Sequence, residues 1–405
     1  MIPKRFRRIN SDKAAGAWLI SAFSPDASTG RVKRRSRSAA PLRFAVVGLG
    51  HIAQAAVLPA FRHARPHVDL VALVSGTQAK LRQLGKRYQV ENLCSYADAD
   101  KLFDSGAVDA VYIATPNTEH VEWATRAAEA GLHVLCEKPL ATSVRDCELM
   151  IDACERNNVK LMTAYRLHFE RCNLEVADLV RKNRIGEARY FDSQFSMQVK
   201  AGNIRTKADL GGGPEWDIGI YCQNAARYVF ADEPTHVWAT ASTSSDPRFQ
   251  DIPETVHVIL KFPRQRIANF ICSFGAADRS RYEVVGTRGS IVVDPAYEYA
   301  EGLAYELTIG EKKRRKKFAK SDQFAPELVY FAQCVRQDRT PEPSGKEGLI
   351  DVSIIEAIQA SVDTGHWVEL AGTPRRQQRP TLRQELRRPA VPREPRLVQA
   401  ESGHG

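Results

Sequence analysis

A chain of 405 residues is long for one hydrophobic core, so two domains are expected. Apolar residues make up an ordinary 43 %, and no run approaches the ~20 apolar residues that span a bilayer, which argues against a helical membrane protein. The net charge of +10 sits in the ends: residues 1–43 hold eleven Lys/Arg and two Asp, residues 373–405 hold eight Arg and three Glu, and the body between them carries −4, which excludes a basic nucleic-acid-binding body.

Residues 1–41 and 371–405 are rich in Pro, Ser, Arg and Gln and read as disordered basic tails, because they cannot bury enough apolar surface to order themselves. A solvated tail is preferred over one that grips nucleic acid or membrane, so neither partner is expected. Arg7-Arg8 precede a mildly apolar stretch, Ala14 to Phe23, but Gly16 and two serines interrupt it, and Arg31 to Arg37 crowd the small pair Ala39-Ala40. A cytoplasmic location is expected, with periplasmic twin-arginine export as the alternative. Eight cysteines lack C-x-x-C spacing and any His cluster, which fits reduced thiols and no metal site.

The first element is the apolar run Phe44 to Val47, a buried parallel strand, followed at once by Gly48-Leu49-Gly50-His51-Ile52-Ala53. Strand, G-x-G-x-x-A turn and amphipathic helix open a dinucleotide-binding βαβ unit. Gly48 permits the tight turn, Gly50 lets a pyrophosphate approach the backbone, and Ala53 is small where helix meets strand. His51 and Ile52 open the helix, whose free N–H groups and positive dipole end face the phosphates. The helix is expected through about Ala64.

A second strand, Leu70 to Val74, ends in Ser75-Gly76-Thr77. An acidic residue here would bond the ribose hydroxyls of NAD, and none lies between Asp69 and Glu91. Ser75, Thr77, Lys80 and Arg82 suit a 2′-phosphate instead, which favours NADP, with NAD as the alternative. Thr77 could equally cap the next helix.

The βα rhythm continues with helix Ala79 to Tyr88, strand Asn92 to Ser95, helix Ala97 to Asp104 and strand Ala110 to Ala114, ending in Thr115-Pro116-Asn117. Helix Glu119 to Ala130, strand His133 to Cys136, helix Val144 to Asn157 and strand Lys160 to Ala164 complete a parallel, doubly wound sheet. Ligands bind at the C-terminal ends of such strands. The expected cofactor residues are therefore Gly48, Gly50, His51, Ile52, Ser75, Gly76, Lys80, Thr115, Pro116, Asn117, His120, Glu137 and Lys138, with Arg166 beyond the last strand.

After Tyr165 the pattern changes to helix Asn173 to Lys182 and strands Ala188 to Gln198, His236 to Ala241, Glu254 to Phe262, Arg266 to Ser273, Tyr282 to Gly286 and Ser290 to Val293. Helix Trp216 to Phe230 interrupts them, and helices Pro326 to Gln337 and Gly348 to Thr364 follow. Consecutive strands imply a largely antiparallel sheet. The basic run Lys312 to Lys317 reads as an exposed hairpin tip. The fold class is α/β: a Rossmann domain over residues 42–164, and over residues 165–370 an α+β domain with a large, open, mostly antiparallel sheet.

Three residues are candidates for chemistry. Lys138 stands at a strand end beside the expected nicotinamide position, where an ammonium can hold a substrate hydroxyl. Asp217 and Tyr221 are four apart and share one face of a helix, behind the glycine-rich Gly211-Gly212-Gly213, which lets backbone lie close to a ligand. Tyr221 can exchange a hydroxyl proton if Lys138 lowers its pKa, and Asp217 orients one or both. The plain alternatives are a surface lysine and a helix N-terminus with a half-buried tyrosine.

The G-L-G-H-I-A turn, Cys136-Glu137-Lys138-Pro139 and the G-G-G…D-I-G-I-Y helix together resemble the Gfo/Idh/MocA oxidoreductase family. Ala72 to Gly76, Tyr165 to Phe169 and Asp217 to Arg227 are similar to its branch of glucose-fructose and aldose oxidoreductases. The resemblance covers about residues 42–370. It implies an NADP-dependent oxidoreductase acting on a sugar, with Lys138 as the catalytic lysine, a cis bond before Pro139, and Tyr221 where many members carry His. It places Tyr165 and Arg166 near the sugar pocket, with Arg205, Asp217 and Tyr221 facing the substrate. It also implies a homodimer or homotetramer built through the second sheet. Departures are Pro214-Glu215-Trp216 before the Asp and His51 in the turn. A dihydrodiol- or biliverdin-reductase-like enzyme and a non-catalytic NADP-binding regulator remain the alternatives.

Overall fold

Six short apolar runs, each followed by an amphipathic segment, can bury both faces only by lying in parallel between helices. In the computed structural model, which describes residues 40–370, 380–384 and 395–400, they do so. The strands are β1 (Leu42–Val47), β2 (Val68–Val74), β3 (Asn92–Cys94), β4 (Ala110–Ile113), β5 (His133–Glu137) and β6 (Leu161–Ala164). Between them run α1 (Leu58–Ala64, preceded by a π-helical stretch Ala53–Val57), α2 (Gln78–Tyr88), α3 (Ala99–Phe103), α4 (His120–Glu129) and α5 (Val144–Arg156). The sheet order is β3-β2-β1-β4-β5-β6. Chain direction across the sheet reverses between β1 and β4, which opens the crevice where dinucleotides bind.

The second unit contains α6 (Arg171–Arg181), β7 (Ala188–Ser196), α7 (Ile220–Phe230), β8 (His236–Ser242), β9 (Thr255–Phe262), β10 (Arg266–Ser273), β11 (Arg279–Gly286), β12 (Gly289–Val293), β13 (Ala304–Ile309) and β14 (Lys312–Lys317). Then come α8 (Phe324–Arg336), α9 (Gly345–Thr364) and β15 (Val368–Glu369). Its nine-stranded sheet runs β14-β13-β12-β11-β7-β10-β9-β8-β15 and is antiparallel except where β7 meets β10. Phe191, Val258, Phe270 and Val284 point inward onto α6, α7 and α9. Tyr190, Ile267 and Ile271 stand on the other face, 47 %, 47 % and 38 % exposed.

Three features differ from the sequence reading. Lys312–Lys317 is not a hairpin tip but the edge strand β14, and the turn lies at Gly310, with φ +55°. An edge strand tolerates such charge because lysines there repel further strands, and Lys316 Nζ donates to both carboxylate oxygens of Glu175 at 2.6 and 2.7 Å. The chain also does not divide cleanly at Tyr165. Helix α8 returns to the first core, where Phe331 packs on Phe44 at 6.1 Å between ring centroids, and α9 carries residues in both cores.

Finally, the C-terminal stretch read as a free tail is docked in its described parts. Pro380, Gln384 and Val398 are buried. The basic extension before residue 40, with Arg7-Arg8, lies outside the described residues, as do residues 371–379, 385–394 and 401–405. Among the described residues no helix is long and apolar enough to cross a membrane, no group of three or more potential metal ligands clusters, and the eight cysteines are unpaired thiols.

A buried ionic cluster joins α7 to α9. Arg227 of α7 is fully buried and its guanidinium meets Glu233 at 2.5 Å, Asp351 at 2.6 Å and Glu347 at 3.0 Å, the last two from α9. Asp351 also accepts from the hydroxyl of Tyr165 at 2.6 Å and from Asn224 at 2.7 Å.

Candidate active site

The glycine turn is fixed by its neighbours. Gly48 adopts φ +90°, and a Cβ there would come within 2.5 Å of the Ala114 carbonyl just after β4, so turn and close backbone approach both demand glycine. Gly50 faces open space, with nothing within 4 Å of where its Cβ would stand. That space is a cavity of about 410 Å³ running from the turn to the second sheet. His51, Ile52, Ser75, Gly76, Thr77 and Lys80 line one end, and Thr115, Pro116, Asn117 and Glu137 line its floor.

These residues fit a nicotinamide dinucleotide. The open space at Gly50 is where a phosphate would sit against backbone N–H groups. The hydroxyl of Thr115, buried with no hydrogen-bond partner, lacks only a ligand group to satisfy it. Burial lowers the Lys80 pKa, so an anion beside it would relieve a partly desolvated cation.

The far end of the cavity gathers the chemistry. Lys138 comes from the end of β5 through a cis Lys138–Pro139 bond. Its Nζ donates to the Asp217 carbonyl at 2.7 Å and to Asp217 Oδ1 at 3.0 Å, and lies 4.8 Å from the centre of the Tyr221 ring. Arg205 Nε donates to the other Asp217 oxygen at 2.6 Å. Burial opposes the charged Asp217, but Arg205 and Lys138 overcome it and hold its carboxyl well below the ordinary range. Burial likewise opposes the Lys138 ammonium, and Asp217, Tyr221 and Glu137 outweigh it, so its pKa is raised. Asp217 is therefore an anion clamped between two cations.

Asp217 and Tyr221 reach one cavity by an irregular helix: Glu215–Gly219 is π-helical and passes into α7 at Ile220. Arg166 also lies over the Tyr221 ring, with its guanidinium carbon 4.8 Å from the Tyr221 centroid and 5.3 Å from that of Tyr299. It donates to Gln323 and to the Tyr297 carbonyl.

Three expectations are corrected. His120 does not line the cavity: it is fully buried, with Nδ1 2.9 Å from the Pro139 carbonyl and Nε2 3.2 Å from the Thr115 carbonyl, and so braces the two loops that do. Tyr165 belongs to the ionic cluster and stacks on His168, and it is not among the residues that line the cavity. By contrast, Gly211 and Gly212 do line the cavity, and the chain itself also requires them, since a Cβ on Gly211 would strike Thr142 at 2.6 Å and one on Gly212 the Arg205 carbonyl at 2.4 Å. Arg82, offered for a 2′-phosphate, points to solvent.

Sequence reasoning missed Tyr96, Phe195, Met197, Tyr297, Glu298 and Tyr299, all on the cavity wall. No local motif marks them, although the clustered aromatics of Tyr297 and Tyr299 were a usable signal. The hydroxyl of Tyr297 pairs with Ser193 at 2.7 Å, and its ring stacks on Phe195.

A dinucleotide cradle opening onto a lysine and a tyrosine from separate domains is the arrangement of a nicotinamide-dependent dehydrogenase. The family profile described as oxidoreductase family, NAD-binding Rossmann fold, matches residues 42–165, and the GFO/IDH/MocA C-terminal domain profile matches residues 173–292. The chain belongs to the Gfo/Idh/MocA oxidoreductase family. It is 30 % identical over 358 residues to D-xylose 1-dehydrogenase [NADP(+)] of Haloarcula marismortui, covering 85 % of this chain and 99 % of that one. It is 34 % identical over 328 residues to dTDP-3,4-didehydro-2,6-dideoxy-alpha-D-glucose 3-reductase of Saccharopolyspora spinosa, covering 78 % and 96 %. Among solved structures it is similar to aldose-aldose oxidoreductase from Caulobacter crescentus, with 37 % identity, a TM-score of 0.78 and coverage of 82 % and 100 %.

One carboxyl beside the site titrates near neutrality. Glu215 is buried, its Oε2 has no hydrogen-bond partner, and burial pushes its pKa from 4.5 up to about 7. The folded state thus holds a proton that the unfolded state releases, so stability is full below pH ~4.5 and falls as pH rises through about 7. The total loss is on the order of 3 kcal/mol. In Glu215→Gln the melting temperature should decline less between pH 5 and 8 than in the unaltered protein; equal slopes would contradict this role.

Proposed function

We propose that the chain is an NADP-dependent oxidoreductase that moves hydride to or from a sugar carbon bearing a hydroxyl, with Lys138 and Tyr221 handling the proton. The observation that carries the reading is the meeting of Lys138, Asp217 and Tyr221 in the cavity that begins at the glycine turn. Gly48, Gly50, Ser75, Lys80, Thr115 and Asn117 would hold the dinucleotide, whose nicotinamide accepts or donates the hydride. Tyr221 gives or takes the proton at the substrate oxygen. Two of the three Lys138 N–H groups are used by Asp217, and the third is left for that oxygen. The Lys138 charge favours the oxygen in its negative form. Arg205 and Asp217 position the lysine, and Tyr299, half-buried on the cavity wall, offers an aromatic face to a sugar ring.

The relatives named for D-xylose, aldose and a dTDP-sugar support a sugar as substrate. The deciding experiment is to denature the purified protein, identify any released nucleotide, and then screen aldoses for reduction of NADP. NADP with at least one reactive aldose is expected. Turnover of a dihydrodiol with no reactive sugar would replace the reading.

NADP preference rests on the hydroxyl and ammonium that follow β2. Lys80→Ala should weaken NADP binding about tenfold and leave NAD binding within about twofold, as measured by fluorescence titration. Equal losses for both nucleotides would remove the 2′-phosphate role. The apolar residues Tyr190 and Ile267 on the open sheet face favour a homodimer or homotetramer through that face. Ile267→Asp should then shift the protein to monomer by light scattering, whereas an unchanged mass would place the interface elsewhere.

A further inference from the structure

The helix that leaves the glycine turn is irregular where it begins, winding as a π-helix over Ala53–Val57 before α1. Gln54 within it is fully buried. A glutamine carboxamide has two N–H donors and one acceptor oxygen, and here they reach two places. Nε2 donates to the Leu49 carbonyl, inside the turn, at 2.8 Å and to the Val398 carbonyl at 3.0 Å. Oε1 accepts from the Val398 N–H at 2.7 Å. Gln54 therefore pairs with the backbone of Val398 as a neighbouring strand would, and the same amide holds the turn.

The C-terminal segment is anchored at Val398 itself and at points before it. The Val398 side chain is buried in the core that contains Leu58 and Phe61. The Arg396 carbonyl accepts from Arg87 Nη1 at 2.8 Å, in the last turn of the helix that carries Lys80. Upstream, the Pro380 carbonyl accepts from Arg181 of α6 at 2.7 Å, and Gln384 Nε2 donates to the carbonyl and carboxylate of Glu342 at 3.0 and 2.8 Å.

The Leu49 carbonyl and the Gly50 N–H belong to one planar trans peptide and point in opposite directions. Fixing that carbonyl fixes where the Gly50 N–H points, and Gly50 faces the cavity. Without Val398, the buried Gln54 amide loses two of its three bonds and turns toward other partners. The Leu49–Gly50 peptide, followed by a glycine, is then free to rotate.

We propose that Gln54 is a positioning residue for the phosphate-binding turn, and that residues 395–400 hold Gln54 in place, so that the C-terminal segment sets the affinity and residence time of the dinucleotide. The inference requires nucleotide binding alone, so failure of the sugar assignment leaves its test intact. NADPH affinity is measured by fluorescence titration and its release by stopped flow, with melting temperatures recorded in parallel. Val398→Pro, which removes the N–H, Gln54→Glu, which removes the donor to Leu49, and a chain ending at residue 394 should each raise the Kd about tenfold. Joining Gln54→Ala to the shortened chain should add little to either alone, because both break one bond system. Val398→Ala keeps both backbone bonds and loses only side-chain packing, so it should lower the melting temperature while raising the Kd less than Val398→Pro does. A Kd and release rate within about twofold of the full chain for Val398→Pro and Gln54→Glu would overturn the proposal, whatever their melting temperatures, and these two variants decide it if the shortened chain does not fold.

Discussion

Tyr221→Phe is expected to lower kcat by about 10²–10⁴-fold while leaving NADP affinity within about twofold. The substitution removes one hydroxyl and keeps the ring. Apart from the hydroxyl's hydrogen bond with Arg166, the ring is what touches its neighbours: Lys138 Nζ and the Arg166 guanidinium carbon each lie 4.8 Å from its centroid, and the Phe195 and Tyr297 rings lie 5.9 and 6.2 Å away. All four contacts survive in phenylalanine, so the pocket should keep its shape and the protein its stability. Asp217 cannot substitute as the proton carrier, because both its oxygens are held by Lys138 and Arg205. Lys138 is a poor replacement, since its ammonium is stabilised against proton loss. Steady-state kinetics on the reactive sugar, beside a nucleotide titration, separate the two quantities. Turnover within threefold of the unaltered enzyme, an energy difference of about 0.6 kcal/mol, would remove Tyr221 from the proton path.

The parts of this site that were legible in the sequence are those whose chemistry is local. The turn at Gly48 and Gly50 follows from a strand and a helix on either side of it. Lys138 follows from a strand end, and the Asp217–Tyr221 pair from helical spacing. What was not legible depends on rotation and on distant chain. Tyr165 and Arg166 are adjacent, yet one turns into the ionic cluster and the other into the cavity, and no local pattern decides which. His120 lies in the right loop but spends both ring nitrogens on its neighbours. Tyr297 and Tyr299 reach the site only because the loop after β12 folds back over β7. The docked C-terminal segment was missed for a related reason: its composition is that of a disordered tail, and its order comes from single contacts such as Gln54 with Val398, which composition does not register. Helix α8 was found as a helix but belongs to the first core, since amphipathic spacing gives a buried face without saying against what.

Replacing Arg227 by Met should be the most damaging change to stability, although Arg227 does not line the active-site cavity. The guanidinium is wholly buried among Glu233, Glu347 and Asp351. Burial disfavours its charge, and the three carboxylates overcome that and raise its pKa far above the ordinary value. Methionine fills much of the same volume but leaves three acids facing one another in a dry interior. Removing one partner of a buried pair typically costs ~3–5 kcal/mol, against a total stability of ~5–15 kcal/mol for a folded domain. The sign of the pH dependence follows. With the cation gone, the folded-state pKa values of the acids rise above their unfolded values, so the folded state takes up protons that the unfolded state does not hold. The stability deficit should therefore be largest near neutral pH and shrink as pH falls toward 5. Chemical denaturation of Arg227→Met and the unaltered protein at pH 7.5 and pH 5 measures both quantities. A deficit under about 1 kcal/mol, or one equal at the two pH values, would mean that the cluster is held by packing and water and not by this charge. Because α7 carries both Arg227 and Tyr221 and continues the π-helical stretch that holds Asp217, the same variant should also lose activity in proportion to the fraction unfolded, with KM for the sugar unchanged in the fraction that remains folded.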